Sequence, residues 1–404
     1  MKIGVAGQVT LPMLARYVDR GSELPLGYPF APMATWIEAL LARGHQVVLF
    51  TLAPGLTEPR TFRGDRLTIH IGRYRLRHRA RDFFAVERKD LIKAMTEDRC
   101  DILHAHWTNE FSLAALATGF PTLVTVHDPA LRVLRHNLTP YWFVRTIMVW
   151  EVARRATYMT AVSDDVAKHF RRYFCYTRHL SVIGNAVAES IFRLKGSVIR
   201  RPDHLVTFAT VLSGWSGLKN NQTALRAFHK LREVLPQTRL IMFGDQQGPG
   251  EAAESWARAN GLDEGIQFAG MVPYATLMQR LAAEVDVLLH PSFVEALSMA
   301  VAEGLALGLP VIAGEHTGGM QYLLENGRSG VLVDVGSDSA VADAMFRLAS
   351  DAELRTKLGR AAYESATRRF SADTVMSAYE KEYERVLKNW PPDTSCMCAT
   401  AGGE

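Results

Sequence analysis

Short runs of aliphatic and β-branched residues alternate with longer stretches of helical periodicity twice along this chain. That double alternation restricts its fold more than any other feature. The first series places strands at Lys2–Ala6, Gln46–Phe50, Leu67–Ile71, Asp101–Ala105, Thr122–Val126 and Tyr158–Val162, with helical patterns over Pro32–Arg43, Ala85–Glu97, Tyr141–Ala156 and Asp164–Arg172. The second begins again with Leu205–Val211, Arg239–Phe243, Ile266–Ala269, Val285–Leu289, Pro310–Ala313 and Val331–Val333. Such alternation builds a parallel sheet with helices on both faces. Two series in 404 residues therefore predict an α/β chain of two Rossmann-like domains, each with its own core. The expected domains are 1–195 and 200–371. The linker is read over Ile191–Asp203, which is polar, lacks periodicity and contains Gly196 and Pro202. A last helix, 372–389, carries Tyr379 and Tyr383, and the tail 390–404 is expected to be unstructured. No Gly-x-Gly-x-x-Gly follows the first strand, which weighs against a dinucleotide-dependent dehydrogenase.

The composition, 48% hydrophobic and 22% charged, fits a globular protein in water. No run is long enough to span a bilayer. The N-terminus reads as a strand and not as a signal peptide, so a cytoplasmic location is expected. Cys100, Cys175, Cys396 and Cys398 are few, lack metal-ligand spacing and are expected to stay reduced. The net charge of +4 is uneven, with eleven Lys or Arg against four Asp or Glu between residues 60 and 93. Within that segment Arg73, Arg75, Arg77, Arg79 and Arg81 alternate with other residues. If extended, they put five guanidinium groups on one face. Two readings stand: a solvated edge, or a surface for phosphate head groups and an anionic membrane. No nucleic-acid motif accompanies the patch, so nucleic acid is not an expected partner.

The sharpest local signal is a pair of glutamates, Glu295 and Glu303, in His290-Pro-Ser-Phe-Val-Glu295-Ala-Leu-Ser-Met-Ala-Val-Ala-Glu303-Gly304. The preceding apolar run reads as a buried strand and the segment after the Pro-Ser turn as a helix. This puts Glu295 at the carboxyl end of a strand, where parallel sheets bind ligands, and Glu303 about two turns into the helix. Spacing alone is weak, because two glutamates eight apart are usually solvent-facing. The helix around them is otherwise apolar, however, and a glutamate on a buried helix needs a partner. Gly308-Leu-Pro-Val and the turn Thr317-Gly318-Gly319 follow. In the first half, His127 comes directly after the buried run Val124–Val126 and beside Asp128. It is either a satisfied structural group or a ligand contact.

These motifs resemble the donor-binding core of the family 4 retaining glycosyltransferases of the GT-B fold, which reads Pro-Ser-x-x-Glu-Gly-Phe-Gly, a second Glu seven residues on, then Gly-x-Pro-Val. The resemblance covers nearly the whole chain. Gly27, the helix Ala31–Arg43 and Gly44-His45-Gln46-Val47 look like the family's glycine loop, first helix and strand entry, with Gly27-Tyr28 in place of Gly-Gly. Asp101-Ile-Leu-His104-Ala-His106-Trp107 and Val124-Thr-Val-His127-Asp128 resemble two family strand ends. Of His104 and His106, one is expected to line the ligand edge and the other to pack. Ala161-Val162-Ser163 and Val182-Ile183-Gly184-Asn185 match two more. Lys219 matches the lysine that neutralises the donor diphosphate, while the family arginine corresponds to Ser213, one cation fewer.

The resemblance implies two Rossmann-like domains facing a central cleft, with the last helix crossing back to the first. It implies catalytic roles for His127, Glu295 and Lys219. Donor contacts would come from Glu303, Lys219, Ser213, Ala296, Leu297, Ser298, Gly318 and Gly319, with Glu303 on the ribose and Glu295 on the transferred sugar. Gly27, His106 and Asp128 would lie on the acceptor side. The implied activity is retaining transfer from a nucleotide-sugar donor to a glycan or lipid-linked acceptor of the cell envelope, with peripheral contact to anionic membrane. No Asp-x-Asp occurs, so neither metal nor cofactor is expected. Lys219, the Gly318-Gly319 amides and the N-terminus of the helix Leu297–Leu307 would receive the diphosphate. A GT-B nucleotide-sugar epimerase and a catalytically weak binding subunit remain as alternatives, the latter because of Ser213.

Overall fold

The computed structural model describes residues 1–195 and 206–391. Most of the expected linker and tail, with Cys396 and Cys398, lies outside them. The chain divides into two compact units, Met1–Ile183 with everything from Val375 onward, and Gly184–Thr374. The division falls before the expected linker for a packing reason. Ile191–Leu194 belongs to the helix Glu189–Leu194, and its Ile191 and Phe192 are buried in the second core. Val187 also bridges to Ser371 within the second unit.

The first unit holds an eight-stranded sheet in the order His179–Val182, Tyr158–Ala161, Thr122–Val126, Ile102–His106, Lys2–Ala6, Gln46–Pro54, Leu67–Tyr74, Arg60–Arg63. Every pairing is parallel except the last. Thr122–Val126 and Ile102–His106 are buried at every residue, which is why they read as unbroken apolar runs rather than alternations. Lys2–Ala6 lies between Gln46–Pro54 and Ile102–His106, so the strand order reverses there. The carboxyl ends of these strands form the edge where α/β sheets bind ligands. From Val375 the helix Ala372–Lys388 belongs to this unit and buries Val375, Met376, Tyr379, Glu382, Tyr383 and Val386. Glu380 accepts from Arg43 Nε and Nη2 at 2.8 and 2.7 Å, and Glu382 pairs with His179 at 2.7 Å.

The arginines do not share one face. The strand Leu67–Tyr74 ends at Tyr74, and His78 with φ 62° leads into a 3-10 turn over Arg79–Asp82. Arg73 grips Asp90 with two nitrogens, Arg75 lies between Asp82 and the buried Glu87, and Arg79 covers the Tyr74 ring at 3.9 Å. Arg77 and Arg81 stay exposed, with Leu76 and Phe83 beside them in sequence. The helix Pro140–Arg155 buries Met148, Val149, Val152 and Ala153. Its outer face shows Phe143, 60% exposed, with Ile147 and Trp150, 41% and 49% exposed.

The second unit holds a six-stranded sheet, all parallel, in the order Ile266–Gly270, Arg239–Phe243, Thr207–Val211, Val287–His290, Val311–Gly314, Val331–Val333. Here the order reverses between Thr207–Val211 and Val287–His290. The loops that leave these two strands carry Lys219 and Glu295.

Candidate active site

In the second unit, the loop after Thr207–Val211 and the loop after Val287–His290 are stitched together by backbone. Phe293 N donates to Leu218 O at 2.9 Å. Asn220, which takes φ 55° at the start of the helix Asn221–Val234, donates through Nδ2 to Pro291 O and Val335 O at 3.1 and 2.7 Å. The stitching brings Lys219 Nζ to 2.6 Å from Glu295 Oε1, while His290 Nε2 lies 3.2 Å from the same oxygen. Burial raises the Glu295 carboxyl, but His290 and Lys219 outweigh it and hold the group down at about 2. Glu295 is therefore ionised at any physiological pH. His290 was not foreseen from sequence; it ends the strand just before Pro291, a place with no helical or strand pattern to single it out.

The helix begins later than the apolar pattern suggests. Ser298 caps it, its Oγ accepting from Val301 N, and the helical residues are Met299–Ala306. Glu295 thus sits in the loop beyond the strand and not at its end, and Glu303 lies little more than one turn into the helix. Glu303 is 7% exposed, and its Oε1 accepts from Tyr274 Oη at 2.6 Å. Burial pushes its carboxyl up to about 7, against the opposing pull of the tyrosine hydroxyl.

Gly318 and Gly319 serve a different purpose from the one expected. Gly318 N donates to His316 O at 3.2 Å and Gly319 N to Glu295 O at 3.1 Å, so both amides are engaged inside the protein. A Cβ on Gly319 would come within 2.2 Å of Ala296 O. This turn is a brace for the Glu295 loop, and Thr317 Oγ1, donating to Ser292 O at 2.6 Å, adds to it. The amides of Met299 and Ala300 open the helix and are the ones that the first turn offers to an anion. Ala296 and Leu297 link Glu295 to the cap. Ser213 is exposed in the first loop, and Glu295 takes its hydrogen bonds from Lys219 and His290 instead.

In the first unit, His127 follows Thr122–Val126 and is 8% exposed. It stacks on Trp107 at 4.4 Å, and its Nε2 shares a hydrogen bond with His106 Nδ1 at 3.0 Å. His104 and His106, two residues apart, lie on the same face, with ring centroids 4.1 Å apart. Both share a face because the side-chain period of a strand is two. His104 is the packed one: it shares hydrogen bonds with Tyr383 Oη at 2.8 Å and Thr125 Oγ1 at 2.6 Å. Burial holds all three imidazoles neutral, that of His127 down to about 3.

Gly27 takes φ 81° in a two-residue strand paired with Val9–Thr10, and a Cβ there would meet Val9 O at 2.8 Å. The ribbon leads to Phe30, whose ring packs edge-on against Trp107 at 5.0 Å. Asp128 is exposed and lines a cavity of about 30 Å³ with Trp107, Asn109, Trp142 and Arg145. Sequence reasoning did not single out Arg145. Its Nη1 lies 3.8 Å from the buried Glu110.

Two sheets of this kind, each with its polar residues at the carboxyl edge, define the architecture of the GT-B glycosyltransferases, and solved structures agree on the fold. The sucrose-phosphate synthase of Thermosynechococcus elongatus superposes with a TM-score of 0.77 at 16% identity, covering 96% of this chain and 99% of that one. Anabaena HepE, solved with UDP and glucose, gives 0.70 at 15% identity over 95% and 100%. By sequence, the N-acetyl-alpha-D-glucosaminyl L-malate synthase of Bacillus anthracis is 22% identical over 310 residues, 74% of this chain and 78% of that protein. The family model for Glycosyltransferase Family 4 matches residues 33–190, and that for Glycosyl transferases group 1 matches residues 202–365. The chain belongs to the family 4 glycosyltransferases and is a glycosyltransferase.

Proposed function

We propose that the enzyme transfers a sugar with retention from a nucleotide-sugar donor to a glycan or lipid-linked acceptor, without a metal. The observation that carries this reading is the Glu295 carboxylate, secluded yet ionised, held by Lys219 and His290 where the second sheet reverses its strand order. Breaking a sugar–phosphate bond leaves negative charge on the diphosphate and positive charge on the sugar. Lys219 has three N–H donors, so it can keep one on Glu295 and turn the others to phosphate. Glu295 then opposes the positive charge on the sugar, and the opening amides of the helix Met299–Ala306 share the diphosphate. Glu303 accepts from the ribose hydroxyls. His127, uncharged and with Nε2 engaged by His106, offers its other nitrogen to a sugar hydroxyl. The UDP and glucose in the Anabaena protein support a donor of this class.

The test is turnover with several nucleotide-sugars, preceded by a thermal-shift panel of UDP, GDP, ADP and dTDP, since a ligand of the native state raises its apparent stability. Donor consumption with the anomeric configuration kept in the product supports the reading. An epimerised free sugar would point to the epimerase, and binding without turnover to the non-catalytic subunit that Ser213 suggests.

The acceptor is proposed to be lipid-linked and met at an anionic membrane of the cell envelope. The support is not the five-arginine stripe but a mixed face. Phe143, Ile147 and Trp150 project from one side of the helix Pro140–Arg155. Leu76 and Phe83 flank the exposed Arg77 and Arg81 on the segment that Arg79 ties to this helix through Tyr141 Oη at 3.0 Å. Aromatic side chains with arginines interleaved suit the head-group layer, each basic residue adding about 1 kcal/mol. Co-sedimentation with anionic vesicles should fall in high salt and in a Phe143→Ser, Trp150→Ser variant. Equal sedimentation of wild type and variant would favour a soluble acceptor. No helix among the described residues is long and apolar enough to cross a membrane.

A further inference from the structure

Glu303 reaches its hydrogen-bond partner across 29 residues of sequence. Tyr274 opens the helix Tyr274–Glu284 behind Pro273, and the residue is 46% exposed. A tyrosine that leaves so much surface in solvent adds little to the core, yet its hydroxyl turns inward to Glu303 Oε1 at 2.6 Å. The other elements packed against Met299–Ala306 are the strands Val287–His290 and Val311–Gly314 and the helices Glu189–Leu194 and Ala352–Phe370. They present apolar side chains such as Leu288, Val311, Ile191 and Ala362. The nearby charges of Lys219 and His290 are taken up by Glu295. Among the described residues, Tyr274 is the titratable group that acts on Glu303.

We propose that Tyr274 is a positioning residue for nucleotide binding: its hydroxyl holds one oxygen of Glu303, turning the other to accept from the ribose hydroxyls. The inference rests on the donor-site reading above and deepens it. A carboxylate offers about four acceptor positions, so the tyrosine and two ribose hydroxyls can be served together. The tyrosine also decides the charge state of the group. Burial by itself drives Glu303 toward the protonated acid, which is a poorer acceptor, and the donated hydrogen bond works against that drive. Tyr274 is therefore what keeps a secluded carboxylate usable near neutral pH.

Wild type, Tyr274→Phe and Glu303→Gln are to be titrated with whichever of UDP, GDP and ADP binds wild type most tightly, from about pH 6 to 9. In parallel, the Glu303 carboxyl is followed by carbon-13 NMR in the ligand-free protein. Tyr274→Phe keeps the ring and removes one oxygen, so the fold is preserved. Its Glu303 midpoint should rise by about one pH unit, which is tenfold in the protonation equilibrium. Nucleotide affinity should fall several-fold at about pH 7 and approach wild type at about pH 9. A midpoint and affinity profile that coincide with wild type would overturn the inference while leaving the ribose role of Glu303 standing. A Glu303→Gln protein that binds nucleotide as wild type does would overturn the ribose role, and the inference with it.

Discussion

On the strand Ile102–His106 and just after Thr122–Val126, burial keeps three imidazoles uncharged. Beyond the end of Val287–His290, Glu295 is largely but less completely buried, and its carboxylate stays ionised because an ammonium and an imidazole reach the same oxygen. The first unit therefore offers oriented neutral donors and acceptors, suited to fixing a hydroxyl. The second offers fixed charge, suited to a reaction that separates charge. Seclusion alone does not decide the state of a group; the partner that seclusion leaves within reach does. Glu303 lies between these cases, with one neutral partner and a carboxyl near neutrality.

The contrast breaks first at Glu295. Glu295→Gln removes the fixed charge while keeping the shape, and turnover should fall by about a hundredfold or more. A variant within tenfold of wild type would mean that fixed charge there is not what drives the reaction. Glu303→Ala comes next: nucleotide affinity should drop by about 1.5–3 kcal/mol, the cost of losing a charged hydrogen-bond partner. Isothermal titration reads this directly, and unchanged affinity removes the ribose role.

Protonation gives a subtler test. The folded Glu303 carboxyl titrates near 7 and the unfolded one near 4.5, so the folded state holds the extra proton between these values. Stability is therefore lost as pH rises through that window. Glu303→Gln should be more stable than wild type above pH 7, on the order of 3 kcal/mol, with the gap closing below about pH 4.5. Denaturant titrations at both ends check the sign. The smallest effect expected is that of chelation: EDTA should leave turnover unchanged, because protein groups receive the diphosphate. Loss restored by Mg²⁺ or Mn²⁺ would overturn that assignment.

Where residues are buried on both sides, the sequence pattern and the fold agree closely. Thr122–Val126, Lys2–Ala6 and Arg239–Phe243 are observed with the bounds read from the pattern. Elements without that signature escaped. Arg60–Arg63 is an edge strand with only Phe62 buried, and Glu110–Ala117 is apolar nearly all round, so no helical period shows. The same divide runs through the site. Glu295 and Lys219 stand in a recognisable loop grammar, whereas His290 and Tyr274 act through contacts that only folding creates. The glycine turn was legible as a motif, but its role was not. That its amides point inward depends on the path of the Glu295 loop, which no spacing encodes.

The pairing of Tyr383 with His104 has a consequence for how the chain is made. His104, His106 and His127 are translated before the second unit, yet the tyrosines that back the row, Tyr379 and Tyr383, follow only after it. At roughly 5–20 residues per second, the first unit waits some ten to fifty seconds for its own final helix. The part that is translated first is completed last, and until then the buried imidazoles beneath the ligand edge lack one of their walls.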